Sequence, residues 1–98
     1  AVVTFEWDPN KAASNLTKHR VSFDLATLVW KDPLHVLLED RNDPATGEQR
    51  WHAVGRVGDQ IILVVVHTYP DPDDDEHVRI IGARKATSHE RKRYEAEL

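Results

Sequence analysis

The pattern of apolar and polar residues changes period along the chain, and each change predicts an element. Over residues 3–7 apolar and polar side chains alternate, which is typical of a half-buried strand. The next two residues predict the start of a helix, because Asp8 is suited to the N-cap and Pro9 to the first helical position. We expect this helix to end at about His19.

A second helix is predicted to follow almost at once. Ser22 is placed as its N-cap, and Val21 precedes it as a hydrophobic staple. Four residues then recur at i, i+3, i+4 and i+7 and give the helix one buried stripe: Phe23, Ala26, Thr27 and Trp30. Asp32 ends the pattern, because a residue before a proline disfavours helical backbone.

Four strands are predicted over the segment that follows. Their expected ranges are 35–40, 50–56, 60–68 and 77–85. The second and third form the clearest hairpin, joined around Gly58 and Asp59. The third contains the run IILVVV, which is apolar on both faces and therefore typical of a central strand covered on each side.

A terminal helix is predicted by a capping box, in which Thr87 caps the helix and Glu90 bonds back to the cap. The element order is then β-α-α-β-β-β-β-α. We expect an α+β fold with a mostly antiparallel sheet, two N-terminal helices and a C-terminal helix. The length predicts a single domain over residues 1–98.

Composition favours a soluble protein of the cytoplasm. Hydrophobic residues make up 40% of the chain and charged residues 31%, as in folded globular proteins. No apolar run approaches the roughly 20 residues that cross a bilayer, and we see no basic and then apolar leader. Cysteine is absent, which excludes disulfides, cysteine zinc ligands and cysteine nucleophiles.

Positive charge is concentrated near one end of a chain whose formal net charge is -4. The stretch RIIGARKATSHERKRYE, residues 79–95, holds six of the 13 Lys and Arg residues and only two acidic residues. This asymmetry predicts a local positive field that the average charge conceals. The six cations are Arg79, Arg84, Lys85, Arg91, Lys92 and Arg93.

The two arginines of the last strand have alternative interpretations. Strict alternation places Arg79 and Ala83 on one face, and Ile80 and Arg84 on the other. Arg79 either pairs with a core carboxylate or snorkels at a sheet edge, or its guanidinium binds a phosphate or a transition state. Gly82, in the middle of the strand, indicates a bulge or a close backbone approach.

Three other candidates share this ambiguity. His19, which follows Lys18 at a helix end, is either a cap or a general acid or base. Tyr94 is either a buried hydroxyl satisfied by the core or a group that stacks on a base or donates a proton. The cations at 91–93 point in three directions, so at least one is a solvated surface residue.

We expect neither a cofactor nor a metal ion. His89 and Glu90 begin the zinc-protease pattern HExxH, but Arg93 stands where the second histidine is needed. The acidic run at residues 71–76 lacks the glycine and the ligand spacing of a calcium loop. Gly-rich phosphate loops and GxSxG motifs are absent from the sequence.

Two segments together resemble the signatures of a known family. FEWDPNKAASNLTKHRVSF, residues 5–23, is similar to the N-terminal signature of the BrnT toxins, roughly FEWD-x-x-K-x-x-x-N-x-x-KH-G-VSF. The basic stretch at 79–95 is similar to their closing signature, RIISAR-x-A-x-x-x-ER-x-x-Y. DPL at 32–34 and RW at 50–51 lie where the family has them. Two residues depart: Arg20 replaces the glycine after KH, and Gly82 stands where serine is common.

The resemblance implies a RelE-like fold and a ribonuclease toxin of a type II toxin–antitoxin pair. It also implies neutralisation by a BrnA-like antitoxin of ribbon-helix-helix type, the complex dimerising and binding operator DNA through the antitoxin. If position 20 needs a left-handed turn, Arg20 costs about 1 kcal/mol there. The residues that match the two signatures are Asn15, Lys18 and His19, then Arg79, Arg84, Glu90, Arg91 and Tyr94.

The expected reaction is metal-independent cleavage of RNA by attack of its own 2′-hydroxyl on the adjacent phosphorus. Arg79 and Arg84 are the predicted ligands of the phosphate and its transition state, while Tyr94 or His19 transfers a proton. The predicted substrate-binding residues are Lys18, Lys85 and Arg91. Two rivals remain: a non-catalytic module whose basic end docks RNA or an acidic partner, and a DNA-binding regulator, for which no helix-turn-helix is visible.

Overall fold

The computed structural model describes residues 2–97 and confirms the predicted order of elements. Five strands form one sheet in the order β1-β5-β4-β3-β2. β1 pairs with β5 in parallel and the other neighbours are antiparallel, so the expected α+β fold is confirmed. The elements are β1 (Thr4–Glu6), α1 (Pro9–His19), α2 (Phe23–Ala26), a 3-10 helix (Thr27–Lys31), β2 (Val36–Asn42), β3 (Gln49–Val57), β4 (Ile61–Thr68), β5 (His77–Lys85) and α3 (Ser88–Ala96).

The three predicted helix starts are confirmed by their caps. Asp8 accepts a hydrogen bond from the backbone N–H of Asn10, and the Ser22 hydroxyl accepts one from a backbone N–H inside α2. Thr87 and Glu90 form the complete capping box of α3. Each cap satisfies backbone donors that the first helical turn leaves without a partner.

The predicted stripe of the second helix is wrong in part. After Ala26 the α-helix becomes a 3-10 helix, which has three residues per turn. The residue three positions on, Val29, is therefore buried on the same side as Ala26, while Thr27 and Trp30 are only half-buried. Phe23 is buried as predicted.

α1 ends at a residue in the left-handed conformation. Arg20 has φ 60° and ψ 27°, and its backbone N–H donates to the Leu16 carbonyl. Position 20 therefore does need a left-handed turn, and the residue that occupies it has a Cβ atom. Glycine adopts this conformation without steric cost, whereas other residues are strained by about 1 kcal/mol.

The sheet has two differently covered faces. The helix face packs against α1, α2 and the 3-10 helix, and its buried strand residues include Val78, Ile80 and Ala83 of β5. We call the opposite side the α3 face. There Tyr94 of α3 packs on a smaller cluster, Val54, Ile62 and Val64. Within residues 2–97 no helix is long and apolar enough to cross a membrane.

Candidate functional site

A bulge in β5 decides which of its side chains share a face. Val66 of β4 pairs with Gly82, and the next residue of β4, His67, pairs with Ile80. Ile81 is therefore an extra residue between two cross-strand pairs, which is the definition of a β-bulge. The bulge lies immediately before the mid-strand glycine, where the sequence indicated a bulge or a close backbone approach.

The bulge places both strand arginines on the α3 face. Arg84 is the cross-strand partner of Val64, and Arg79 is the partner of Thr68. Direct antiparallel partners point to the same side, and alternation puts Thr68 on the side of Val64. Since Val64 packs with Tyr94 on the α3 face, the two arginines lie there too. The prediction that Arg79 and Arg84 lie on opposite faces was wrong. It applied strict alternation to every residue of β5 and did not allow for the extra residue at the bulge.

Arg79 is held by two carboxylates. Its Nε donates to Glu6 Oε2 at 3.1 Å, and its Nη1 donates to Glu48 Oε1 at 3.1 Å. The second oxygen of Glu6 lies 2.6 Å from Nε2 of His77. Hydrogen bonds from His77 and Arg79 lower the pKa of Glu6 below its ordinary value. The Arg79 side chain remains 35% exposed and that of Glu6 43%, so solvent reaches the pair.

Arg84 is paired more tightly than Arg79. Its two terminal nitrogens donate to the two oxygens of Glu90 at 2.7 and 2.8 Å. Glu90 also accepts from the backbone N–H of Thr87, so the capping carboxylate of α3 and the ion-pair partner are the same group. The Arg84 guanidinium lowers the pKa of Glu90 to about 2. This bidentate pair ties α3 to β5.

The sheet surface between the two arginines is open. A Cβ atom added at Gly82 meets no neighbouring atom closer than 3.8 Å among residues 2–97, and the atoms near it are Asn15 Oδ1 and Val66 Cβ. Val66 is the strand neighbour of Gly82, so no side chain from α3 packs over this position. Val66 and Gly82 are half-buried, and we call this partly exposed sheet surface between Arg79 and Arg84 the opening.

Tyr94 is a core residue in this arrangement. Its side chain is 2% exposed, and its hydroxyl donates to Asp32 Oδ2 at 2.5 Å. Burial and the neighbouring carboxylate raise the pKa of Tyr94, so the hydroxyl stays protonated. The geometry favours the interpretation in which the core satisfies this hydroxyl.

The structure does not bring His19 together with the two strand arginines. α1 packs on the helix face through Ala12, and His19 is its half-buried last residue. One turn earlier, Asn15 accepts from the backbone N–H of Ala83 and donates to the carbonyl of Ala83. The Asn15 side chain thus supplies the hydrogen-bond partners of the Ala83 backbone, in the part of β5 that β1 does not reach. The position of α1 places His19 near this part of β5.

The other predicted contact residues are on the surface. Lys18, Lys85 and Arg91 are exposed, and in the part of the chain that the structure describes none of them makes an ion pair. No group of three metal-binding side chains is found over residues 2–97.

Four polar residues on the α3 face were missed in the sequence. Arg50 and His52 of β3 share that face with Val54 by alternation, and Asp40 of β2 lies 3.1 Å from His52. Arg50 Nε and Thr68 Oγ1 are buried, and neither has a hydrogen-bond partner among the described residues. The signal available in the sequence was the period-two placement of Arg50 and His52 in a strand that is otherwise largely apolar.

The comparisons with known proteins agree with this fold. The family model described as ribonuclease toxin, BrnT, of type II toxin-antitoxin system matches residues 7–90. The structure is similar to the 1.1 Å crystal structure of the Brucella abortus ribonuclease toxin BrnT, with a TM-score of 0.65 and 25% sequence identity. That match covers 89% of this chain and 100% of the Brucella chain. No curated protein matches the sequence significantly.

The family match includes most of both segments on which the resemblance rested, residues 7–23 of the first and 79–90 of the second, and ends before Arg91 and Tyr94. It also covers β2 to β5 and the start of α3, the elements that carry the two arginines. The family predicted from the two signatures is therefore confirmed. The chain belongs to the BrnT family of ribonuclease toxins from type II toxin–antitoxin systems.

Proposed function

We propose that this protein is a metal-independent endoribonuclease of the cytoplasm whose cleavage of RNA inhibits translation and growth. The observation that carries the proposal is the bulge at Ile81, which places Arg79 and Arg84 on one sheet face with the half-buried surface at Gly82 between them. An RNA phosphodiester binds in this opening. Two guanidinium groups beside a phosphate stabilise the charge that develops during its cleavage.

Arg79 is the more accessible of the two cations. Its partners Glu6 and Glu48 hold its guanidinium in place, and a phosphate oxygen resembles the carboxylate oxygens that it replaces. An ion pair that is about a third exposed contributes at most about 1 kcal/mol, so exchange for a phosphodiester is inexpensive. Arg79 therefore binds the scissile phosphate directly after the exchange.

Arg84 keeps Glu90 and acts through its position at the other end of the opening. The tight bidentate pair orients its guanidinium, while the ionised Glu90 offsets most of its charge. Tyr94 packs on Val54, Ile62 and Val64 and so holds α3 against the sheet near Arg84. The exposed cations bind flanking phosphates of the RNA: Lys18, Lys85 and Arg91.

The chemical step needs no metal ion. The 2′-oxygen of one ribose attacks the adjacent phosphorus in line, and the bond from phosphorus to the 5′-oxygen of the next nucleotide breaks. The products carry a 2′,3′-cyclic phosphate and a 5′-hydroxyl. The protein supplies positioning and charge stabilisation, which together lower the barrier by several kcal/mol.

Membership of a type II toxin–antitoxin family implies that an antitoxin partner exists. We propose that the partner is a BrnA-like protein of ribbon-helix-helix type that neutralises the toxin. The complex dimerises and binds operator DNA through the antitoxin. The acidic net charge of this chain, -4, agrees with DNA binding through the partner instead of through the toxin itself.

Purified protein incubated with total RNA in the presence of EDTA tests the proposal. We expect cleavage to persist in EDTA and Arg79→Ala to slow it about 100-fold, as loss of a transition-state ligand does. Lys92→Ala removes an exposed cation of α3 and should leave the rate unchanged. Arg79→Lys is the control that keeps the positive charge at this position. Circular dichroism shows whether each variant is folded.

Binding of RNA without cleavage would support the non-catalytic module instead. Full activity of a folded Arg79→Ala variant would overturn the assignment of Arg79. Inhibition by EDTA, restored by a divalent cation, would overturn the metal-independent reaction. Growth inhibition by the expressed protein, lost in Arg79→Ala, is the corresponding result in cells.

A further inference from the structure

A histidine–aspartate pair lies on the same sheet face as the proposed cleavage site. Nε2 of His52 is 3.1 Å from Oδ2 of Asp40, and their side chains are 25% and 33% exposed. Arg50 Nε and Thr68 Oγ1, buried without a partner among residues 2–97, lie on this face one row further along the sheet. Among the described residues no ion pair joins His52, Asp40 or Arg50 to Arg79 or Arg84, although Thr68 is the cross-strand partner of Arg79.

The pair fixes the tautomer of the imidazole. An ionised carboxylate can only accept a hydrogen bond, so the Asp40 contact favours the form of His52 that carries hydrogen on Nε2 and donates it. Nδ1 then has a free lone pair, and within the described residues it makes no hydrogen bond. A hydrogen bond from the backbone N–H of Arg41 lowers the pKa of Asp40, so the aspartate is charged near neutral pH.

His52 and Gly82 lie in one row across three neighbouring strands. His52 is the cross-strand partner of Val66, and Val66 is the partner of Gly82. Neighbouring strands are about 4.8 Å apart, so the backbone at His52 is about 10 Å from the backbone at Gly82. A ribose bonded to a phosphate in the opening spans much of this gap. Proton transfer to His52 requires the 2′-hydroxyl of this ribose to point along the row toward the imidazole.

We propose that His52, oriented by Asp40, is the general base of the cleavage; the assignment rests on the proposed ribonuclease function. Nδ1 takes the proton of the 2′-hydroxyl as the 2′-oxygen forms its bond to phosphorus. The electron pair of the breaking bond stays on the 5′-oxygen, which takes a proton from water. The imidazolium then returns its proton to solvent. Neither Tyr94 nor His19 is needed for this step.

The charged groups around the ring agree with this role. On β2 the facing group is Asp40, and on β3 the nearest cation of the same face is Arg50. The cross-strand neighbours Leu38 and Val66 carry no charge. Apolar residues on both sides and one carboxylate behind the ring hold an imidazole in a single orientation, as a proton acceptor requires.

Initial rates on a short RNA oligonucleotide test the inference with His52→Ala. We expect a loss of about 100-fold or more in kcat, as removal of a general base causes. Added imidazole should restore part of the lost rate, because it supplies the missing base. Asp40→Asn should also lower kcat and change the pH profile. The matched control is His89→Ala, which removes an exposed histidine of α3 and should change nothing.

The outcomes separate this inference from the function on which it rests. A wild-type protein that leaves RNA intact overturns the proposed ribonuclease and the role of His52 together. A wild-type protein that cleaves, beside a His52→Ala variant of equal rate, overturns only the assignment of His52. Loss of activity in folded His52→Ala without rescue by imidazole also overturns it, since a structural role gives that result.

Discussion

The side chain of Asn15 offers a direct test of how the edge of β5 is stabilised. Its amide nitrogen donates to the carbonyls of Val21 at 2.9 Å and Ala83 at 2.8 Å, and its oxygen accepts from the Ala83 N–H at 3.1 Å. The perturbation is Asn15→Ala, which removes all three hydrogen bonds. It leaves the backbone groups of Ala83 without a strand partner at a partly buried edge.

The expected loss follows from these three bonds. Each contributes a net 0.5–1.5 kcal/mol, roughly, so Asn15→Ala should lower the free energy of unfolding by about 2–4 kcal/mol. Asn15→Asp keeps the acceptor for the Ala83 N–H but places a carboxylate oxygen against two carbonyls. It should destabilise the protein at least as much as alanine does.

Urea unfolding at neutral pH measures the difference, with the midpoint and slope compared between variants. Ser14→Ala is the matched control, since Ser14 is exposed on the same helix, and it should stay within about 0.5 kcal/mol of wild type. Hydrogen exchange of the Ala83 amide should become faster in Asn15→Ala. An Asn15→Ala variant as stable as the control, with that amide still protected, would refute this account of the edge.

Two other predictions concern stability. Because the pKa of Glu90 falls from 4.5 unfolded to about 2 folded, the pair with Arg84 should contribute about 2–3 kcal/mol above pH 4.5, and this contribution should disappear as pH falls toward 2. The free energy of unfolding, measured with urea, should therefore differ less and less between wild type and Glu90→Gln as the pH falls over that range. A difference that stays constant would contradict the contribution of the pair. Arg20→Gly should raise the free energy of unfolding by about 0.5–1 kcal/mol, because glycine relieves the left-handed strain. Arg20→Ala should not raise it. Equal stabilities of the glycine and alanine variants would contradict the strain.

The helix starts and most strands were predictable because their signals are local. Asp8, Ser22 and Thr87 each stand next to the backbone donors that they satisfy. The central strand was predictable from its length and apolar character on both faces. The switch from α2 to a 3-10 helix was missed, because tertiary packing and not a local residue pattern selects Val29 for burial over Trp30.

The candidate site was predictable only in part. Arg79 and Arg84 stand out in the sequence because arginine is unusual in an apolar strand. Their shared face depends on the bulge at Ile81, which arises from the register of β5 against β4. The pairing partners were also hidden, since Glu6 is 73 residues from Arg79 in the chain. Long-range contacts of this kind leave no mark in a local pattern.

The same reason explains why the pair of His52 and Asp40 was missed. Twelve residues separate them, and only the register of β2 against β3 brings their side chains to 3.1 Å. Tyr94 shows the opposite case, in which the sequence left two roles open. Its contact with Asp32 joins α3 to the segment before β2 and is invisible until the chain is folded.

The ends that the purified protein leaves on a short RNA in EDTA show how the phosphodiester bond is broken. Attack by the RNA's own 2′-hydroxyl predicts a 2′,3′-cyclic phosphate on one fragment and a 5′-hydroxyl on the other, detected by mass spectrometry. It also predicts that the same oligonucleotide with a single 2′-deoxyribose at the cleaved position stays intact there. Cleavage at the 2′-deoxy position, or a product with a 5′-phosphate, would contradict attack by the RNA's own hydroxyl on the α3 face.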